Sequence, residues 1–307
     1  MQGYISRENV EDFALVSDMA YVAQNGGRII RAVFEIAISK KWSNVTAVLL
    51  ELSKAVETRL WPFDHPLKQL KLKAETLYSL EKWADEWSIS QLAEYDAATL
   101  GGLVHLNEQH GHAIVNAAKQ FPSLQILHDL QPIASDILKI RLKVKRAFEW
   151  NSAIHGTSVI FWIWIEDDTG LNILQLSRIT FRETTDLLQI DFFISIPQGQ
   201  PPPFVTIRSV SDHWVGAENN INISMDSLIM PPASPPHTRL LPLPFLSMNE
   251  FDGFSVLERI FPPRLHTFNN LQAQYFWNLV RDHRHLLICA PSGSGKSTVV
   301  HMLIWYV

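Results

Sequence analysis

Near residue 136 the spacing of apolar side chains changes from one that suits helices to one that suits strands, so no single-class fold can satisfy both halves of the chain. Upstream, residues 8 to 60 carry helical periodicity. Val45, Val48, Leu49, Leu52, Val56 and Leu60 fall on one stripe, with Ser43 available as an amino-terminal cap. Ile30, Val33, Phe34 and Ala37 form the expected buried face of the preceding helix. Gln24, Arg28, Arg31 and Glu35 rise on a separate stripe of that helix, where Arg31 can pair with Glu35 one turn on. Pro62 and Pro66 end this bundle, and shorter helices are expected between about 74 and 120, punctuated by Gly101-Gly102 and closed by Phe121-Pro122.

Downstream, Ile137, Lys139, Arg141, Lys143 and Lys145 alternate with Leu138, Ile140, Leu142 and Val144. Further strands are expected at 158–166, 173–181, 187–196, 204–210 and 220–225, separated by turns such as Asp168-Thr169-Gly170 and Pro201 to Pro203. Short strands at this spacing predict a β-sandwich of immunoglobulin or fibronectin type III kind. Trp150, Trp162, Trp164 and Trp214 then read as core or sheet-face aromatics rather than as a ligand cage. Six prolines between 231 and 244 predict an extended connector. The expected class is multidomain α+β, divided as a helix bundle (1–65), a helix-loop-helix subdomain (66–123), an immunoglobulin-like sandwich (124–230), a linker (231–263) and the start of a P-loop α/β domain (264–307).

That last segment carries the clearest chemistry. Ala290-Pro291-Ser292-Gly293-Ser294-Gly295-Lys296-Ser297-Thr298 is a phosphate-binding loop, with Ala where the general pattern begins with Gly. Leu286 to Cys289 reads as a buried strand before it, and Ser297 to Trp305 as a helix after it. Glycines at 293 and 295 let backbone N–H groups wrap an anion. Lys296 is placed to reach the β- and γ-phosphates of ATP, and the Ser297 hydroxyl to bind the Mg²⁺ that bridges them. Gln272, in Phe268-Asn269-Asn270-Leu271-Gln272, has an amide that can both donate to and accept from an adenine edge. Hydrolysis needs an acidic residue on a later strand, a group that orients water and an arginine. Asp85-Glu86 does not supply the first, since it reads as a solvated helix face. The chain is therefore expected to be a fragment that does not hydrolyse ATP alone.

Composition bounds the remaining classes. With 307 residues, 47% apolar and 19% charged, the chain can bury a core of two or three domains. A net charge of −5 means that nucleic acid would have to meet a local basic track and not a global field. The single cysteine, Cys289, excludes an internal disulfide and reads as a buried thiol in an intracellular protein. With no apolar run long enough to span a bilayer, the expectation is a soluble protein of cytoplasm or nucleus. The twelve histidines include no His-Glu-x-x-His pair, so no zinc set is read. Glu166-Asp167-Asp168 reads as turn chemistry.

Several stretches together resemble tandem-cassette, Ski-two-like superfamily-two RNA helicases over nearly the whole chain. They are Tyr4-Ile-Ser-Arg7, Phe13 to Asp18, Tyr21 to Gln24, Gly27 to Ala32 with Phe34-Glu35, Arg59-Leu-Trp61, Phe121-Pro122, Ile207 to Asp212 with Trp214, and the phosphate loop. The resemblance implies that residues 1 to about 230 are most of a Sec-sixty-three module and that 264–307 open a second RecA cassette. It implies a ratchet role beside single-stranded RNA for the helix with Arg28 and Arg31, and adenine binding by Phe268 and Gln272. It also implies protein partners for the sandwich, and no membrane. Ser292 stands where these helicases usually have Thr, and Leu106-Asn-Glu-Gln-His110 replaces basic residues often found in the helix-loop-helix element. Tyr21 to Ala32 looks closer to the activating signal cointegrator and ribosome quality-control branch than to the spliceosomal branch. The residues alone leave a second reading open, a non-catalytic interaction module whose loop binds nothing.

Overall fold

The computed structural model describes residues 1–9, 11–197, 200–232, 240–243, 247, 267–281 and 285–306, in two compact units, Met1–Ala233 and Ser234–Val307. The first unit begins with α1 (Gln2–Ile5), α2 (Phe13–Ser39) and α3 (Ser43–Thr58). Asp12 caps α2 by accepting from the Ala14 N–H at 2.8 Å. Arg59, in the left-handed region at φ 55°, ends α3.

The packed faces differ in part from those the periodicity suggests. Ile30, Phe34 and Ala37 are buried, but Val33, Val45 and Val48 are exposed. On α3 the buried residues include Ala47, Leu50, Ser53 and Lys54 together with Val56 of the expected stripe. Ala47 and Leu50 are the α3 residues buried against Trp164 and Phe34, which leaves Val45 and Val48 on the outward side of the helix. Ser43 is the first helical residue and not the cap. Its hydroxyl donates to Glu166 Oε1 at 2.5 Å and accepts from Trp164 Nε1 at 2.9 Å, and the cap position falls to Trp42.

Four short helices follow: α4 (Ala74–Trp83), α5 (Ile89–Glu94), α6 (Ala97–Leu103) and α7 (Glu108–Gln120). Asp85 and Glu86 lie in the turn after α4, not on a helix face. Gly101 and Gly102 do not break the chain either, because both lie inside α6. A Cβ on Gly101 would come 2.6 Å from the Asn107 carbonyl oxygen, and one on Gly111 in α7 would come 1.9 Å from that of Ala97. These glycines let the two helices touch backbone to backbone.

Seven antiparallel strands form two sheets: β1 (Leu124–Ala134), β2 (Ile137–Arg146) and β5 (Leu187–Ser195) in the order β1-β2-β5, and β3 (Val159–Glu166), β4 (Ile173–Phe181), β6 (Phe204–Ser211) and β7 (Glu218–Ser224) in the order β4-β3-β6-β7. A short helix, α8 (Ser152–His155), precedes β3. Leu138, Ile140, Leu142 and Val144 of β2 share one core with Phe161, Ile163 and Ile165 of β3 and with Leu80, Leu100 and Ile114 of the short helices. β3 is buried along both faces, since Trp164 turns away from that core to meet Phe34, Ala47 and Leu50. The turn after β3 is built by Asp167, which accepts from Thr169, Leu171 and Asn172. The strand β1 was not anticipated: it is an edge strand carrying Pro132, with only Leu124 and Ile126 in the core.

In the second unit, α9 (Asn270–Arg281) and α10 (Lys296–Tyr306) flank the glycine loop. The connector expected over 231–263 lies mostly outside the described residues, as does the start expected near 264. Leu286 to Cys289 is not a strand, and Leu287 is 88% exposed. Among the described residues no strand pairs with it, and Leu286, Leu287 and Cys289 are exposed while Ile288 is half-buried. Cys289 is accordingly exposed, not buried. No helix among the described residues is long and apolar enough to cross a membrane.

Candidate nucleotide loop and nucleic-acid helix

In the first unit the two arginines of α2 have different surroundings. Arg28 is exposed and lines a shallow groove of about 480 Å³ with Gln24, Gly27, Arg31 and Glu35. Arg31 is engaged by the fold. Its Nη1 donates to Asp212 Oδ1 at 2.7 Å, its Nη2 to the Asp212 carbonyl at 2.8 Å, and its Nε to Glu57 at 3.4 Å. Glu35, its expected partner, is not among these contacts. Trp162 Nε1 donates to the same Asp212 oxygen at 2.6 Å, and His213 lies 3.4 Å from Glu57 and 3.2 Å from Asp212. This cluster ties α2, α3 and the end of β6 together.

The cluster also sets the ionisation of its members. The His213 hydrogen bond, followed by Arg31, holds the Glu57 carboxyl down to about 2. In return Glu57, followed by Asp212, raises the His213 imidazole above its ordinary 6.5. A raised folded value stabilises below the unfolded one, so the His213 contribution is full below about pH 6.5 and is lost as pH rises through the raised value. The Glu57 contribution is present above 4.5 and is lost as pH falls towards about 2. Thermal melting followed between pH 6 and 9 is therefore expected to show a decline that His213→Ala flattens; an unchanged slope in that variant would remove His213 from the account.

The second unit brings Asn269 and Gln272 to the glycine loop. Asn269 and Gln272 cap α9 reciprocally: the Gln272 N–H donates to Asn269 Oδ1 at 2.9 Å, and the Asn269 N–H to Gln272 Oε1 at 3.0 Å. The Gln272 amide nitrogen then donates to the Gly295 carbonyl at 3.1 Å, and Asn269 Nδ2 to that of Ser294 at 3.1 Å. Glycine at 295 is favoured by its φ of +86°, and a Cβ there, 2.3 Å from Gln272 Nε2, would push the Gln272 amide off the loop. Gly293 has φ +80° and open space around it. Phe268 is 1% exposed and packs on Phe276 at 4.9 Å between ring centres.

These residues fit an anionic ligand with phosphate oxygens. The first-turn N–H groups of α10 have no intrahelical acceptor, and the Ser297 hydroxyl faces solvent. Lys296 Nζ is folded back onto the carbonyls of Ala290 and Pro291 at 2.5 and 2.7 Å, and has to swing outward to meet a phosphate. Among the described residues no group of three or more His, Cys, Asp or Glu side chains could hold a metal ion. Periodicity and spacing gave no pointer to Glu57, Asp212, His213 and Trp162, although Asp212 closes one of the stretches that carry the family resemblance.

A family profile described as the Sec63 Brl domain matches residues 1–224. The whole chain is 34% identical to the RQC trigger complex helicase SLH1 of Saccharomyces cerevisiae, over 15% of that protein. It is 35% identical to activating signal cointegrator 1 complex subunit 3 of Homo sapiens over 14% of that protein, and 99% of it aligns at 34% identity with 14% of pre-mRNA-splicing factor brr2 of Schizosaccharomyces pombe. The two branches stand at nearly equal identity. The chain thus spans about one seventh of the length of the curated relatives it matches.

Proposed function

The chain belongs to the Sec63 Brl domain family, and from that premise we propose that it is the auxiliary module of a Ski-two-like RNA helicase, continued into the nucleotide loop of a second cassette. In this reading the two antiparallel sheets are an immunoglobulin-like sandwich with a helix bundle and a helix-loop-helix element beside it, and 264–307 begin a RecA-like domain. RNA binding and assembly with protein partners are proposed for the whole protein, as the names of its relatives suggest.

The observation that carries the nucleotide part is the docking of Gln272 on Gly295 beside two left-handed glycines. Backbone N–H groups of 293–298 and the Lys296 ammonium would hold the phosphates, with Ser297 placed for Mg²⁺. Gln272 keeps one amide hydrogen and one lone pair unused by these bonds, and at 4% exposure its side chain has to turn outward to offer them to an adenine edge. Bound ATP would supply the free energy of its β–γ phosphoanhydride. Residues able to cleave it are not proposed within this chain.

Magnesium-ATP at about a hundredfold its dissociation constant is expected to stabilise the second unit by about 2.7 kcal/mol, read as a rise in melting temperature that Lys296→Ala abolishes. Phosphate release should stay at background. No Lys296-dependent shift, or a turnover rate that Lys296→Ala removes, defeats one half of the proposal or the other. A second reading, an interaction module with a vestigial loop, is favoured by the largely exposed Leu286–Cys289 stretch, which pairs with no strand among the described residues, and predicts the first of those failures.

A further inference from the structure

The outward face of the β1-β2-β5 sheet is a regular grid. Cross-strand register sets Gln125, Lys145 and Leu187 in one row, Leu127, Lys143 and Gln189 in the next, Asp129, Arg141 and Asp191 in the third, and Gln131, Lys139 and Phe193 in the fourth. The basic residues of β2 thus form the central column, and the two halves of that column differ. Asp191 neutralises Lys139 at 2.7 Å and Arg141 at 2.9 Å. Lys143 and Lys145 are exposed and have no carboxylate within ion-pair distance among the described residues. Beside them Leu127 is 59% and Leu187 58% exposed.

Isolated surface leucines need no explanation, and a lysine among them usually finds its own carboxylate or water. Here two leucines flank two unneutralised lysines on one rigid sheet, two positions apart along β2, where like charges on neighbouring sites repel. We propose that this end of the sheet docks an acidic segment of a partner protein, whose carboxylates meet Lys143 and Lys145 and whose apolar side chains cover Leu127 and Leu187. The next row disfavours a nucleic-acid strand, whose continuous phosphates would run on against Asp129 and Asp191, whereas a short acidic segment can end at Lys143 and Lys145; the grid also offers a single aromatic ring, Phe193, with Lys139 over it at 5.6 Å, where successive bases would need several. Rigid β2 and β5 leave little ordering to be done on binding. The inference rests on the reading of the β-rich part as a protein-binding element.

A fluorescein-labelled peptide of alternating Glu and Leu, titrated against the full chain and followed by anisotropy, tests it. Lys143→Glu with Lys145→Glu should weaken binding at least tenfold, and so should Leu127→Ser with Leu187→Ser, while the melting temperature of either surface variant stays near that of the parent. A poly-glutamate peptide of equal charge should bind more weakly than the Glu-Leu probe. Absent binding, or binding indifferent to both pairs of substitutions, overturns the proposal. If an oligouridylate binds instead and loses affinity with the lysine pair, the face belongs to RNA and the proposal is equally overturned. Peptide-induced hydrogen-exchange protection separates the two levels of inference: protection elsewhere on the first unit sinks this face and leaves its protein-binding role standing.

Discussion

Arg31→Met is expected to destabilise the first unit by about 3 kcal/mol, because it removes one member of a largely buried charge pair and strands the other. The side chains of Arg31 and Asp212 are 23% and 9% exposed, and the guanidinium reaches Asp212 through both its carboxylate and its carbonyl. Without it, Asp212 keeps Trp162 and His213 but loses its permanent cation. Arg28→Met, on an exposed position of the same helix, should change stability by about 0.5 kcal/mol or less. Urea unfolding of the two variants measures the contrast, and equal midpoints would show that the clamp contributes nothing. The contrast also decides how RNA experiments are read. Arg28→Glu can report on strand contact by crosslinking, whereas a loss in Arg31→Glu would follow from the broken clamp whether or not Arg31 touches RNA.

Gly111→Ala should be destabilising by about 3 kcal/mol, against the usual sense of that substitution. In a helix interior alanine is favoured over glycine by about 1 kcal/mol. Here the added methyl would lie 1.9 Å from the Ala97 carbonyl oxygen, which is backbone and cannot rotate away. Relief requires α6 and α7 to separate, opening the core at Leu100 and Ile114. Gly102→Ala is the matched control, since a Cβ there meets nothing within 4 Å, and it should be neutral or stabilising. A Gly111→Ala variant that melts at or above the parent temperature would refute the close contact between the helices.

What the sequence made legible follows from how much local pattern each element carries. The inward residues of β2 alternate cleanly because one face of that strand is core and the other solvent, and that alternation was readable. β1 was not, since an edge strand with two core residues leaves almost no alternation to see. Lys54 in α3 would be assigned to solvent from its chemistry; it is 1% exposed, held by the Trp214 carbonyl at 3.3 Å, and its ammonium is pushed below the ordinary lysine value by burial. The glycine loop could be singled out because its glycines and lysine fall at fixed offsets. The Arg31 cluster was not, because its members come from residues far apart in the chain. Yet the stretches that carry the family resemblance meet in pairs: Arg59 donates to the Tyr4 carbonyl at 2.9 Å, Trp61 to Ser6 at 3.0 Å, Arg31 to Asp212, and Phe121 packs on Trp214 at 6.0 Å. Much of what looked like motif is clamp.

The long helix α2 is held unevenly. From Gly26 to Ala37 it is pinned by packing and by the Arg31 clamp, whereas Phe13, Leu15, Val16 and Tyr21 are 87%, 51%, 46% and 63% exposed. At a rise of 1.5 Å per residue the stretch from Phe13 to Asn25 extends roughly 20 Å from that anchorage. Mechanically it is a cantilever rooted in the sheet. A sideways load at its tip becomes a torque at Arg31 and Asp212, so the root bears a force multiplied by the arm. Work done on the free end of the rod would be felt by β6 before any side chain there had changed its partner.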